Sequence, residues 1–411
     1  MDNNIKKVQF KHRVSVAGAG VVGGGVIEYI ATRMQQDVEL ARILVRDVTK
    51  PRNVVPDGVD VSDNPSTIIH DHKIDTVIEA IGGVDVAYSL VSESLKKGKY
   101  VITANKLLLA THPELLEHPN LRYEAAVAGG IPIIKSLRRD ISYPIVGLEG
   151  ILNGTSNYIL HRMETEGIEY AEALKGAQQL GYAEADPTSD VDGFDAMYKI
   201  IILCRIALGA VPDMETMVRR GIGGIRPCDF IYAGMIQCTV RLVATCWRDG
   251  DGVSHAYVMP AIVPFNSKFG KTEMAQNTVI VYTDSCQILV YGGEGAGRYP
   301  TTNSIISDFH DIGNKRRPLR TRDGTFEPNF TQRFFIRFIV NDGLGIVADI
   351  GTICKEEGVS IEGILQYPAY EDPMAFALTT DMTTYHRIVN VLDRVREKSW
   401  CVDTFLCTIH Y

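Results

Sequence analysis

Val14-Ser15-Val16-Ala17-Gly18-Ala19-Gly20-Val21-Val22-Gly23 decides the reading of the first third of the chain. Val14 to Val16 is a short apolar run of the kind that forms a buried parallel strand. It feeds Gly18, Gly20 and Gly23 in a Gly-x-Gly-x-x-Gly spacing, with Ala19, Val21 and Val22 between them. Val26, Ile27, Tyr29 and Ile30 then suit a helix. In such a strand-turn-helix the first glycine allows a tight turn and the second lets backbone approach a pyrophosphate. The third lets helix and strand pack closely, while the helix N-terminus faces the anion. The spacing alone also occurs in glycine-rich turns; following a strand and opening a helix is the context that gives it meaning.

Working outward, a second strand is expected near Ile43-Leu44-Val45, followed by Arg46, Asp47, Lys50 and Arg52. An acid at this strand end would take a ribose 2′-hydroxyl, whereas Arg46 and Lys50 suit a 2′-phosphate. NADP is therefore favoured, and Asp47 keeps NAD open. Two more strands, Asp75 to Ala80 and Tyr100 to Thr103, end at Ile81-Gly82-Gly83 and Ala104-Asn105-Lys106. Ligands of open α/β sheets sit beyond such carboxyl ends, which places Gly82, Thr103 and Lys106 where a cofactor or substrate would lie. A lysine snorkelling over the sheet edge has the same spacing.

The whole chain has 411 residues, 45% of them hydrophobic, and a formal net charge of −8. That length suggests two or three domains. The acidic balance argues against nucleic acid. No apolar run approaches the roughly 20 residues that cross a membrane. The polar start, MDNNIKKVQFKHR, lacks the apolar centre of a signal peptide, so the expectation is a cytoplasmic protein. The 8 cysteines show no CxxC spacing and are expected as buried free thiols.

Farther along, YEAAVAGGIPIIKSL reads as a strand, a Gly129-Gly130 turn and a helix from Pro132. Val146 to Leu152 reads as a strand ending at Asn153-Gly154-Thr155-Ser156-Asn157, with Ser156 expected to cap the next helix. Gly181-Tyr182-Ala183-Glu184-Ala185-Asp186-Pro187 then leads to Asp190, Asp192, Asp195 and Lys199. One helix is expected from about 190 to Leu208, with Asp192, Asp195 and Lys199 on one face that continues as apolar Ile202, Leu203 and Ile206. Asp195 and Lys199 should then share a polar pocket roofed by core. Burial lowers a lysine's pKa and a neighbouring acid raises it, the tuning expected of a proton donor and acceptor. A structural ion pair at a helix start has the same spacing.

GAGVVGGG, TANK, EAAVAGGIP, NGTSNYIL and GYAEADPTSDVDGFDAMYK, in that order, resemble homoserine dehydrogenase over essentially the whole chain. The resemblance implies interconversion of L-homoserine and L-aspartate 4-semialdehyde with NADP or NAD, in threonine, methionine and isoleucine synthesis. It implies Lys199 as general acid/base, Lys106 as the second lysine near nicotinamide and substrate, and Asp195 orienting Lys199. Glu184 would bind the substrate amino group, with Asp190, Tyr182, Asn153 and Thr155 also lining the homoserine pocket. A monovalent cation, sodium or potassium, would be held by the backbone oxygens of Glu124, Val127, Gly129 and Ile131. The family pairs through its middle domain, so a homodimer or homotetramer is expected. Gly292 to Thr301 resembles the segment that returns the chain to the cofactor, with Gly297 on the cofactor, Glu294 where the family has proline and Arg298 where it has a small residue. A helix is expected from Thr302.

After a polar linker between Arg316 and Gln332, strands and helices are expected in the order βαββαβ, which is ferredoxin-like. RFIVNDGLGIVADIGTICKEEGVSIEGILQ resembles an ACT domain, a module that commonly binds amino acids at paired interfaces. The family's Asp-x-Pro-Gly turn is Asp342-Gly343-Leu344-Gly345 here, without the proline. The expected fold class is α/β in three parts: a Rossmann-type dinucleotide-binding domain (1–130, completed by 301–320), an α+β substrate and dimerisation domain (131–300) and a ferredoxin-like ACT domain (321–411). Two other readings share these motifs, a non-catalytic dinucleotide-binding regulator and a different amino-acid dehydrogenase. Lys106, Glu184, Asp195 and Lys199 together weigh against the first; Glu184 and Asp190 favour a substrate bearing an ammonium group.

Overall fold

The computed structural model describes residues 12–285, 288–314, 318–319, 325–366 and 374–410. The polar start, Cys286 and part of the stretch read as a linker lie outside them. The chain divides into two compact units: Met1–Ser142 with Glu294–Arg320, and Tyr143–Gly293 with Thr321–Tyr411.

In the first unit six parallel strands form one sheet: β1 (His12–Ala17), β2 (Val38–Leu44), β3 (Asp60–Ser62), β4 (Thr76–Glu79), β5 (Tyr100–Thr103) and β6 (Leu121–Arg122). Their order is β3-β2-β1-β4-β5-β6, a doubly wound Rossmann-type sheet whose order reverses between β1 and β4. Val14, Val16, Ile43, Ile78 and Ile102 are buried, as a sheet covered on both faces requires. The helix Val21–Arg33 carries three successive glycines, each costing about 1 kcal/mol relative to alanine in a helix. Packing explains two of them. A Cβ on Gly23 would stand 2.0 Å from the Gly18 oxygen, and one on Gly25 would stand 2.4 Å from Thr302 Oγ1. Thr302 belongs to the helix Arg298–His310, which packs on the first helix and adds Ile305 and Phe309 to the core.

That helix starts at Arg298, not near Thr302 as expected. Arg298 ion-pairs with Glu28 of the first helix. The strand expected across Tyr123 to Val127 is also absent. Glu124–Ala126 forms a short helical turn instead, because the Glu124 carboxylate caps the N–H groups of Ile134 and Lys135, both at 2.8 Å, and its own N–H donates to Asp308 at 2.7 Å.

The second unit is built on one mixed sheet. Its strands are β7 (Ile145–Ile151), β8 (Val218–Arg219), β9 (Cys238–Arg248), β10 (Ser254–Pro264), β11 (Gln276–Thr283), β12 (Leu289–Glu294), β13 (Thr331–Val340), β14 (Ile361–Leu365), β15 (Met374–Thr380), β16 (Thr383–Thr384) and β17 (Cys401–Ile409). The order is β12-β11-β7-β9-β10-β17-β13-β15-β14, with β8 on β10 and β16 on β13. Strands β9, β10 and β11 have no counterpart in the sequence reading. Nearly every residue of β9 and β10 is buried, so the period-2 alternation that flags a strand is missing.

Strands β13, β14, β15 and β17, with helices Ile346–Glu356 and Tyr385–Arg396, run in the order βαββαβ. They continue the central sheet, since β17 pairs parallel with β10 at Ala261↔Thr408 and Ile262↔Ile409. Polar ties reinforce the junction. Glu149 accepts from Tyr282 at 2.6 Å and pairs with His410 Nδ1 at 2.9 Å, and the other ring nitrogen of His410 lies 3.1 Å from Tyr257 Oη. Arg337, fully buried on β13, meets Asp229 Oδ1 at 2.8 Å on the helix Pro227–Met235. Burial pushes the Asp229 carboxyl up to about 6, against the downward pull of Arg337.

Candidate active site

The nucleotide end of the first unit follows from its glycines. Gly18 has φ +101, and a Cβ there would meet the Ala80 oxygen at 2.4 Å, so the β1 and β4 loops touch through backbone. Gly20 caps the helix, and no atom lies within 4 Å of where its Cβ would stand. The three motif glycines thus divide their work: Gly18 and Gly23 serve packing, and Gly20 leaves an opening at a helix N-terminus, which fits a phosphate. Val21 is exposed beside it.

After β2, Arg46 and Lys50 are exposed. Asp47 is exposed too, and its Oδ1 accepts from Thr49 N at 2.9 Å and Thr49 Oγ1 at 2.6 Å, bonds that hold its carboxyl below the usual range. At the ends of β4 and β5, Glu79 was not foreseen. It is fully buried, takes the Thr103 hydroxyl, and accepts from Ile81 N at 2.9 Å and Gly82 N at 3.4 Å. Burial raises its pKa against these bonds. The Thr103 hydroxyl also accepts from Asn105 N at 2.9 Å, so it is spent on loop geometry. Gly82 has φ +70, a conformation that favours glycine. Asn105 caps the helix Lys106–Thr111 by accepting from Leu108 N at 3.0 Å. Lys106, half-buried, is the first residue of that helix, where the helix dipole opposes a positive charge.

In the second unit the single helix expected from 190 to 208 is two, Thr188–Val191 and Phe194–Ala207. Gly193 breaks them in the left-handed conformation, at φ 81. Asp192 therefore leaves the shared face. Asp195 and Lys199 keep it, 3% and 7% exposed, and Lys199 Nζ lies 2.6 Å from Asp195 Oδ2. Nζ also donates to the Leu152 carbonyl at 2.7 Å. A buried ion pair persists only when further hydrogen bonds satisfy its members, and these do.

Asn153 supplies the rest. Its Nδ2 donates to Asp190 Oδ1 at 2.7 Å and to Asp195 Oδ2 at 2.9 Å. Its Oδ1 accepts from Ser156 N at 2.7 Å, which makes Asn153, not Ser156, the cap of the helix Gly154–Glu166. Gly154 is required because a Cβ there would meet the Ala275 oxygen at 2.5 Å. Asn157 donates to the oxygens of Thr272 and Met274, at 3.1 and 2.9 Å. Asn-Gly-Thr-Ser-Asn is therefore a joint: Asn153 gathers the acids, and Gly154 with Asn157 pins the 272–275 loop. Beyond that loop, Asn277, unforeseen and 1% exposed, donates to the Leu152 carbonyl at 2.9 Å.

Asn153, Asp190, Asp195 and Lys199 are thus brought together. Thr155 donates to the Tyr182 carbonyl at 2.7 Å, and the Tyr182 ring lies 4.7 Å from that of Tyr158. Glu184 is exposed on the same loop, its carbonyl receiving Gln178 at 3.1 Å. Chemically, a lysine held by a carboxylate and a carbonyl can give a proton to a ligand oxygen as the ammonium and take one from it as the neutral amine.

The carbonyls expected to hold a cation lie on a loop that turns at Ala128 (φ 55) and Gly129 (φ 52). Gly129 O accepts from Ser304 at 2.6 Å and Ile131 O from Ile133 N at 2.8 Å. Each carbonyl oxygen has a second lone pair, so the donor type fits a hard cation. Among the described residues no cluster of three or more His, Cys, Asp or Glu side chains could hold a metal ion.

The family model for the homoserine dehydrogenase NAD-binding domain matches residues 18–130, and that for homoserine dehydrogenase matches residues 132–309. The homoserine dehydrogenase of Bacillus subtilis is 32% identical, the match covering 94% of this chain and 95% of that one. The crystal structure of a homoserine dehydrogenase from Thiobacillus denitrificans is 29% identical with a TM-score of 0.89, covering 98% of each chain. A hyperthermophilic archaeal homoserine dehydrogenase in complex with NADPH is 25% identical with a TM-score of 0.65, covering 76% of this chain and 100% of that one. From the glycine turn, the acid-lysine cluster and these likenesses, the chain belongs to the homoserine dehydrogenase family of oxidoreductases.

Proposed function

We propose that this chain interconverts L-homoserine and L-aspartate 4-semialdehyde with Lys199 as the general acid/base, in threonine, methionine and isoleucine biosynthesis. The observation that carries the reading is the buried contact of Lys199 with Asp195 Oδ2 at 2.6 Å and Leu152 O at 2.7 Å. In the oxidising direction the neutral amine of Lys199 takes the hydroxyl proton of homoserine. The carbinol carbon gives up its hydride and becomes a carbonyl. NADP, when bound, supplies the hydride acceptor. Asp195, relieved of part of its charge by Asn153, orients Nζ and stabilises the ammonium that forms. Asp190 and the exposed Glu184 are the acids proposed for the substrate ammonium, with Tyr182, Asn153 and Thr155 shaping the pocket. Lys106 is proposed as the second lysine at the substrate.

NADP is preferred over NAD in this reading because two exposed cations, Arg46 and Lys50, stand after β2, and one oxygen of the exposed Asp47 is already taken by Thr49. The NADPH complex of the archaeal relative is in keeping with it. Gly18 to Gly23, Gly82, Thr103 and Gly297 are proposed to shape the dinucleotide site; Gly297, at φ +117, caps the helix Arg298–His310. A sodium or potassium ion is proposed at the carbonyls of Glu124, Val127, Gly129 and Ile131, where it would stabilise developing negative charge. The βαββαβ segment is proposed as an ACT domain open to an amino-acid effector, and the protein as a cytoplasmic homodimer or homotetramer. Among the described residues no helix is long and apolar enough to cross a membrane.

The test is absorbance of NADPH as purified protein meets L-homoserine with NADP and then with NAD, beside a Lys199→Ala variant. Turnover by the wild type and near-complete loss in a folded variant support the reading. Full turnover in the variant overturns the role of Lys199.

A further inference from the structure

We infer that Asn277 is a positioning residue for Lys199, acting through the carbonyl of Leu152. The inference rests on the reading of Lys199 as the proton carrier. Leu152 follows the last residue of β7, and the β7–β11 ladder closes at Thr278↔Ile151. The Leu152 carbonyl is thus just past the ladder and takes its direction from side chains. Asn277 Nδ2 donates to it at 2.9 Å and Lys199 Nζ at 2.7 Å. One oxygen with two lone pairs therefore serves both donors. The amide orientation is fixed by charge: turned over, Asn277 Oδ1 would face the carbonyl oxygen. As it stands, Oδ1 is buried with no hydrogen-bond partner among the described residues.

The placement of Asn277 is itself prepared. Asn157 holds the carbonyls of Thr272 and Met274, Met274 sits at φ 51, and Gly154 admits the Ala275 oxygen. Thr272 and Thr278 share a hydroxyl hydrogen bond of 2.7 Å on either side of Asn277. Two segments far apart in sequence thereby aim one backbone oxygen at the lysine. Without the Asn277 donor the carbonyl is free to turn, and the hold of Leu152 O on Lys199 Nζ loosens. Displacing a reacting group by about 1 Å costs up to roughly a hundredfold in rate.

Asn277→Leu keeps the volume and removes the donor; Asn277→Ala serves if the leucine variant does not fold. The expected result is a fall in kcat for homoserine oxidation of about tenfold or more, with the KM for NADP within about twofold. The acidic limb of the kcat profile moves to lower pH, because an ammonium deprived of an acceptor releases its proton sooner. In a Lys199→Ala background the same substitution should cost nothing further, since its effect passes through Lys199. An unchanged kcat and pH profile in the folded variant overturns the inference, as does an equal loss in both backgrounds, which marks a merely structural residue. Full activity in Lys199→Ala alone would remove the acid/base reading and this inference with it. An inactive Lys199→Ala beside an unaltered Asn277→Leu removes this inference only.

Discussion

Asn153 donates its amide to Oδ2 of Asp195, the same oxygen that receives Lys199. Two donors on one carboxylate oxygen fix its direction, and the second Asn153 bond ties Asp190 to the same point. Asn153→Asp keeps the helix cap, because aspartate caps as well as asparagine does. It also replaces a bridging donor with a third carboxylate. The expected outcome is a fall in kcat/KM for homoserine of about a hundredfold with helical circular dichroism retained. Wild-type kinetics in this variant would show that the bridge does not matter.

Gly20 and Gly23 separate binding from packing. Gly20→Ala meets no protein atom, so its melting temperature should stay within a few degrees while the Kd for NADPH rises by about tenfold or more. Gly23→Ala would force a Cβ to 2.0 Å from the Gly18 oxygen, so it should lose several degrees of melting temperature as well. Thermal melts and fluorescence titration of NADPH check both; the same melting temperature for the two variants would refute the distinction.

Cofactor preference is expected to sit on the loop after β2. Replacing Arg46 and Lys50 together by glutamate should lower kcat/KM with NADP by about tenfold or more and leave NAD turnover within about threefold. The ratio of the two rates in one assay reads the result. An unchanged ratio would move the 2′-phosphate contact elsewhere.

The pair of Arg337 and Asp229, both fully buried, is costly to break from one side. Arg337→Met leaves Asp229 without its charge partner and should destabilise the second unit by roughly 3–5 kcal/mol in urea unfolding. Adding Asp229→Asn should return much of that loss. If the double variant were no more stable than the single one, the pair would not be the source of the cost.

The first unit was largely readable because its signals are local. A strand, three spaced glycines and a helix lie within twenty residues, and the spacing of Asp195 and Lys199 held because both stand on one helix. The break at Gly193 was missed because Asp190 to Leu208 satisfies a single helical period on either side of it, and one glycine is no firm stop. Asn277 and Glu79 were missed for a different reason. Each acts on a partner distant in sequence, Leu152 and Thr103, and no periodicity encodes that meeting. The same holds for β9 and β10, whose continuous burial erases alternation.

The place of β17 between β10 and β13 bears on how the molecule is made. As the chain leaves the ribosome, residues 254–264 and 331–340 emerge with the neighbour that will lie between them still unsynthesised. For β10 the wait is on the order of ten seconds at ordinary translation rates. The Ala261–Ile262 end of β10, beyond its pairing with β8, and the long edge of β13 that β17 will cover stand unguarded during that interval. Slowed elongation across residues 341–400 would lengthen the exposure, and chaperone capture of nascent chains stalled in that stretch should exceed capture of chains released after residue 409.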